Sequence, residues 1–187
     1  IYFGDAPAFD IAQQSLNSFW EFPAVISLGI VAGFIAIIFM RTTIKVEDLF
    51  KKVPGPSWKN PALGGFLVGL IALIFPQVLG VGYEATDMAL NIKLPLYLLV
   101  SLTLMKILAT SICIGSGFAG GIFTPSLMIG AMLGGSFGMI FTGVFPELSS
   151  GASTYTIIGM GALAAAVLGA PISTTLIIFE LTDDYPL

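Results

Sequence analysis

The sequence has no histidine at all and a single cysteine, Cys113. Without histidine it lacks the commonest general base and the commonest metal ligand, so acid–base and metal chemistry lose their usual carriers. One cysteine allows no intrachain disulfide, and its place within an apolar run reads as a small packing residue. Charge is scarce too: only 10% of residues are Asp, Glu, Lys or Arg, against roughly 25% in soluble domains. No basic tract suggests a nucleic acid, and every aspartate lies outside the apolar runs. An intramembrane hydrolase would need a nucleophile–base pair or two facing aspartates. Neither is present, so the chain is not read as an enzyme.

What is abundant is apolar. Hydrophobic residues make up 56% of the chain and the mean hydropathy is +0.98. Long apolar stretches of this kind define an integral membrane protein. Five blocks stand out: 22–40, 62–81, 94–114, 122–145 and 155–181. About 20 residues rising 1.5 Å each cover a ~30 Å hydrocarbon core. Gly169-Ala170-Pro171 splits the last block into pieces too short to cross upright, because proline removes a helix hydrogen bond and disfavours helix in the residue before it. Broken helices are how transporters and channels hold a site near the midplane. The fold expected is all-α, a polytopic transmembrane bundle with broken or half-spanning helices.

The segment 41–61 holds Arg41, Lys45, Lys51, Lys52 and Lys59, five of the seven basic residues. It reads as a loop that the positive-inside rule places in the cytoplasm, with Pro54-Gly55-Pro56 as its break. Glycines recur at small-xxx-small spacing in Gly29/Gly33, Gly65/Gly69, Gly117/Gly121 and Gly130/Gly134/Gly138. Such rows let helices approach closely in lipid. The chain starts at Ile1 with no basic region followed by an apolar core, so no signal peptide is read there. It closes on Thr182-Asp183-Asp184 and Pro186, which reads as the approach to another helix. The sequence is expected to be a piece of a longer membrane domain.

The most informative stretch is Gly115-Ser116-Gly117-Phe118-Ala119-Gly120-Gly121-Ile122-Phe123-Thr124-Pro125-Ser126-Leu127. A glycine-rich turn between two apolar runs opens into a new helix with proline in its first turn. Bare backbone at membrane depth must be buried in protein or line a cavity. The first N–H groups of a helix lack intrahelical partners and carry the positive end of its dipole. A helix start inside a membrane is therefore an uncharged anion site. Gly120 and Gly121 are expected to permit the turn, and Pro125 suits a first turn because its missing N–H is not needed there.

This stretch resembles the G-x-F-x-P region of the CLC family of chloride channels and chloride/proton antiporters, and the likeness continues through 128–138. Three further segments match in the right order. Leu79-Gly80-Val81-Gly82-Tyr83 fits the family's G-x-G-Y loop. Lys106-Ile107-Leu108-Ala109-Thr110 fits the helix before the anion motif. Residues 159–182 fit a later alanine-rich, proline-broken helix ending in F-E-L-T. The resemblance covers about 79–184 well; the earlier part agrees only in hydropathy.

The resemblance implies transmembrane chloride transport, as channel or exchanger, with residues 1–187 forming most of the second inverted-repeat half. It implies that the backbone N–H groups of Ile122 and Phe123 bind the anion, with Gly117, Gly120, Gly121, Thr124 and Pro125 shaping the turn. Amide dipoles attract an anion without the deep well of a buried charge, as conduction requires. Family members also use a serine from a G-S-G-I-P segment, a gating glutamate from G-[KR]-E-G-P and a late tyrosine, none of which lies in this sequence. No cofactor or metal is implied. The partners implied are a small anion, the lipid bilayer and a second copy of the full-length protein, in a bacterial plasma membrane. Another inverted-repeat anion or solute transporter is the rival reading.

Two ionisable residues stand apart. Lys106 lies within an apolar run, where a charge costs at least ~2.5–3.5 kcal/mol on insertion scales. It is expected either to lend positive potential to the anion path or to pair with a helix-end carbonyl or snorkel. Glu84 is expected in a solvated loop.

Overall fold

The computed structural model describes residues 21–56 and 58–182. Residues 1–20 and 183–187, on which the readings of the leader and of a following helix rest, lie outside the described residues. Seven α-helices carry the described fold: α1 Phe22–Lys51, α2 Lys59–Ile74, α3 Tyr83–Leu90, α4 Leu96–Gly115, α5 Phe123–Val144, α6 Ala152–Leu168 and α7 Pro171–Thr182. Short 3-10 turns at Pro76–Val78 and Pro146–Leu148 follow α2 and α5. Each comes after a proline interrupts the preceding helix.

Three helices, α1, α4 and α5, are long and apolar enough to cross a membrane. The division of the last apolar block is as expected. Gly169 ends α6 in the left-handed conformation, with φ 66°, and Pro171 opens α7. At 17 and 12 residues these helices measure about 25 Å and 18 Å, short of the ~30 Å core.

Two expectations need correction. The apolar block 22–40 is only the front of α1, which continues through Arg41 and Lys45 to Lys51. Hydropathy falls at Arg41, but nothing there interrupts the backbone ladder. Neither proline nor glycine intervenes before Pro54, and Lys51 pairs with Glu47 one turn back at 2.8 Å. The connecting loop is thus only 52–58. Glu84 does not sit in a loop either. It occupies the first turn of α3, eight residues whose mixed polarity hid the helix, and a carboxylate there complements the helix dipole.

The bundle centres on α5 and α6, antiparallel and nearly touching backbone to backbone. A side-chain carbon added at Gly134 would lie 2.1 Å from the Tyr155 carbonyl oxygen, and one at Gly130 would lie 2.5 Å from that of Gly159. This contact accounts for the row Gly130/Gly134/Gly138. Gly29, Gly33 and Gly69 meet nothing within 4 Å among the described residues, so their spacing buys no contact there. Helix α1 runs beside α4, with the Thr43 and Ser111 hydroxyls 3.0 Å apart. At the opposite end the fully buried Glu21 accepts hydrogen bonds from the Ser150 N–H and, at 3.1 Å, from the Tyr155 hydroxyl. The Tyr155 ring packs against Phe137 and Phe141 with centroids 5.7 and 5.4 Å away, a spacing typical of favourable aromatic pairs. The outside is strongly apolar: Ile26, Phe34, Leu73 and Ile172 are all exposed, as lipid-facing or partner-facing side chains are.

Candidate functional site

The site begins where α4 ends. Gly117 lies just past the α4 cap with φ 91°, a region that costs an L-residue free energy but not glycine. The Phe118 N–H donates to the Cys113 carbonyl and the Gly117 N–H to the Ile114 carbonyl, both at 3.1 Å. This is the Schellman arrangement, which satisfies the last carbonyls of a helix and reverses the chain. The conformational freedom expected of Gly120 and Gly121 is therefore used by Gly117 instead. Neither Gly120 nor Gly121 has positive φ, and a side-chain carbon at either would meet nothing within 4 Å.

From Gly117 the chain turns into α5. Ile122 is the cap residue, with no side chain capping the helix, and Phe123, Thr124 and Pro125 form the first turn. The sequence places Ile122 inside the helix; it sits one position before it. Ser126 closes the first backbone bond onto the Ile122 carbonyl at 3.1 Å. The N–H groups of Ala119, Gly120, Gly121, Ile122, Phe123 and Thr124 have no acceptor among the described residues. Six successive donors are thus left open at the positive end of a 22-residue helix, where an anion is favoured. Buried backbone donors are almost always paired, so a partner is needed once this face is covered. The half-buried Phe123 ring packs against a cluster holding Leu90, Leu127, Ile157 and Ile178. That contact ties the helix start to the broken pair α6–α7.

Behind the turn lies a cavity of about 330 Å³, lined by Lys106, Thr110, Cys113, Phe118, Gly120 and Pro125 among others. No carboxylate of the described residues lines it. Lys106, only 3% exposed, donates from Nζ to the carbonyls of Val78 at 2.8 Å and Gly80 at 2.9 Å. Of the two expectations for Lys106, pairing with a helix-end carbonyl is met, since Val78 closes the 3-10 turn after α2. Lys106 also lines the cavity. Sequence reasoning missed the two carbonyls that hold it. The signal was there: a lysine deep in an apolar helix needs acceptors, and the glycine-rich 79–82 loop offers bare backbone.

A larger cavity, about 530 Å³, lies between the Pro76 turn and α3, bordered by Gln77, Tyr83 and Glu84. Among the described residues its lining carries a carboxylate and no cation, which does not suit an anion. No group of His, Cys, Asp and Glu able to hold a metal occurs among the described residues.

Comparison with known proteins places the chain in a family. The family model described as voltage gated chloride channel matches residues 1–187. The H(+)/Cl(-) exchange transporters ClcA of Citrobacter koseri and Salmonella arizonae are each 33% identical over 195 residues. The alignments take in 100% of this chain and 40% of those proteins, so the chain spans about two fifths of the length of the curated relatives it matches. A crystal structure of a slow cyanobacterial Cl-/H+ antiporter superposes with a TM-score of 0.77 at 31% identity, covering 97% of this chain and 42% of that one.

Proposed function

The chain belongs to the voltage-gated chloride channel family, and from that membership we propose that it forms part of the chloride pathway of an integral membrane transporter. Residues 1–187 supply most of the second inverted-repeat half, with the serine, glutamate and tyrosine walls contributed from elsewhere in the full-length protein. The relatives named above are H+/Cl− exchangers, which favours proton-coupled exchange over channel conduction. The observation that carries this reading is the run of six N–H groups, from Ala119 into the first turn of α5 at Thr124, that have no acceptor among the described residues.

In this reading a dehydrated chloride sits against the amides of Ile122 and Phe123. Gly117, Gly120 and Gly121 bring bare backbone within reach, Thr124 adds a third amide, and Pro125 closes the first turn without wasting a donor. Lys106 contributes positive potential through the cavity behind the turn. Its ammonium is already engaged by two carbonyls, so it attracts the ion without trapping it, and the ion stays free to leave. The cargo undergoes no bond-making, and the reading invokes neither catalytic group nor cofactor. The full-length protein works as a homodimer in the bilayer of a bacterial plasma membrane.

The decisive experiment is an ester-for-amide substitution at Phe123 in the full-length protein, which deletes one N–H and keeps the side chain. Chloride binding is expected to weaken by roughly 1–3 kcal/mol, the scale of a hydrogen bond to a charged group. Unchanged affinity by calorimetry would mean that these amides do not hold the ion.

Orientation follows from the basic residues. With Lys52 in the short 52–58 loop and Lys51 and Lys59 flanking it, the α1–α2 connection is cytoplasmic. Cysteines introduced at Lys51 and Lys59 of the full-length protein are expected to react with an impermeant thiol reagent only from the inside. Labelling of intact cells from the outside would reverse the assignment.

A further inference from the structure

Helix α2 packs on α4 and the Pro76 turn, with Val68 and Ile71 partly buried against the core. Gly64 is its only buried residue, and what it faces is the anion turn. A side-chain carbon on Gly64 would lie 2.2 Å from Ser116 Oγ and 2.5 Å from Ser116 Cβ. The second distance decides the matter. A hydroxyl can rotate away, but Cβ is fixed to the backbone, so the clash can be relieved only by moving α2 or the end of α4. Ser116 is 2% exposed, and its hydroxyl donates to the Cys113 carbonyl at 3.0 Å. That carbonyl is the one accepting the Phe118 N–H in the Schellman turn.

The turn has no room on its other side. A side-chain carbon at Gly115 would lie 2.8 Å from the Glu47 backbone nitrogen and 2.8 Å from Val46 Cγ1. The end of α4 is therefore gripped between the C-terminal part of α1 and the first turns of α2. The next residue of α2, Gly65, sits at ordinary contact distance from the Phe118 ring, 3.5 Å from its Cζ. Phe118 and Val68 of α2 both line the cavity behind the turn. A shift of α2 thus reshapes the cavity wall, and a shift of α4 moves the turn itself.

We infer that Gly64 is a positioning residue for the anion site: its missing side chain seats Ser116 against α2 and so fixes where the turn delivers the open amides of α5. This rests on the chloride-site reading above and adds a residue that touches neither the ion nor its amides.

The test is a substitution series in the full-length protein, read by chloride affinity and by the relative flux of chloride and nitrate. Gly64→Ala is expected to weaken chloride binding at least tenfold and to shift the chloride/nitrate ratio. Gly65→Ala, which meets Phe118 at normal contact distance, is expected to do neither. Removing the clash from the other side provides the rescue. Gly64→Ala with Ser116→Gly should recover affinity and selectivity, whereas Gly64→Ala with Ser116→Ala should not, because Ser116 Cβ is itself in the way. If Gly64→Ala alone fails to insert, recovery of inserted, chloride-binding protein by Ser116→Gly and not by Ser116→Ala supports the same seat. Normal affinity and selectivity in Gly64→Ala, or equal recovery by both second substitutions, overturns it. A wild-type protein that binds no chloride overturns the site reading itself, a distinguishable result.

Discussion

Replacing Gly117 by valine in the full-length protein is expected to cut chloride flux at least tenfold, about 1.4 kcal/mol in rate terms, while the protein still inserts. Gly117 has φ 91°. Left-handed backbone costs an ordinary L-residue roughly 1–2 kcal/mol, and a β-branched side chain is stiffer still. The chain can escape that cost by abandoning the turn, but it then loses the two bonds that define it, Phe118 N–H to Cys113 and Gly117 N–H to Ile114. Either way the stretch from Ala119 to Thr124 is no longer held where it is now. Valine at Gly121 is expected to cost much less on conformational grounds, since φ there is not positive and nothing lies within 4 Å of an added carbon. Flux assays on the two variants in liposomes decide it. A larger loss for Gly121→Val than for Gly117→Val would show that the conformational argument names the wrong glycine.

The second large effect is expected at Lys106. Replacing it by methionine keeps the bulk and deletes the charge, leaving the Val78 and Gly80 carbonyls without the donor that now sits 2.8 and 2.9 Å away. Hydrogen bonds to charged groups are worth ~1.5–3 kcal/mol each. Removing the buried charge returns part of that through its desolvation cost. A net loss on the order of 2–4 kcal/mol is expected, read as a lower unfolding midpoint in mixed detergent–denaturant titrations. Lys106→Arg should retain most of the stability, because guanidinium can serve both carbonyls. Flux in the methionine variant should fall more at low chloride than near saturation, since the charge acts by attracting the ion. A methionine variant as stable as wild type would show that the 78–80 turn does not depend on Lys106.

The sequence read alone was informative wherever a physical rule acts locally. Apolar runs of about 20 residues announced membrane helices because a helix must be that long to cross hydrocarbon. Gly169-Ala170-Pro171 announced the division of α6 from α7 because proline's effect is confined to its own turn. The helix start at Ile122–Phe123 was legible for the same reason, and was misplaced by a single residue.

The errors arose where composition and hydrogen bonding part company. Polarity rises at Arg41, yet α1 runs on for ten more residues to Lys51, because a helix ends where its ladder is broken, not where its side chains turn polar. The turn holds Gly115, Gly117, Gly120 and Gly121, and the letters alone do not say which of them turns left-handed. That follows from where the α4 ladder closes, and it selects Gly117.

By itself, then, the sequence determined the solvent, the helical class, the broken last helix and the glycine-rich helix start, all of which depend on residues within a few positions of one another. Only the tertiary structure decided what Lys106 holds, 26 and 28 positions back along the chain, and that Gly64 makes room for Ser116. These depend on which helix faces lie together in space. Side-chain packing at van der Waals distance sets that choice, and no periodicity along one segment encodes its partner.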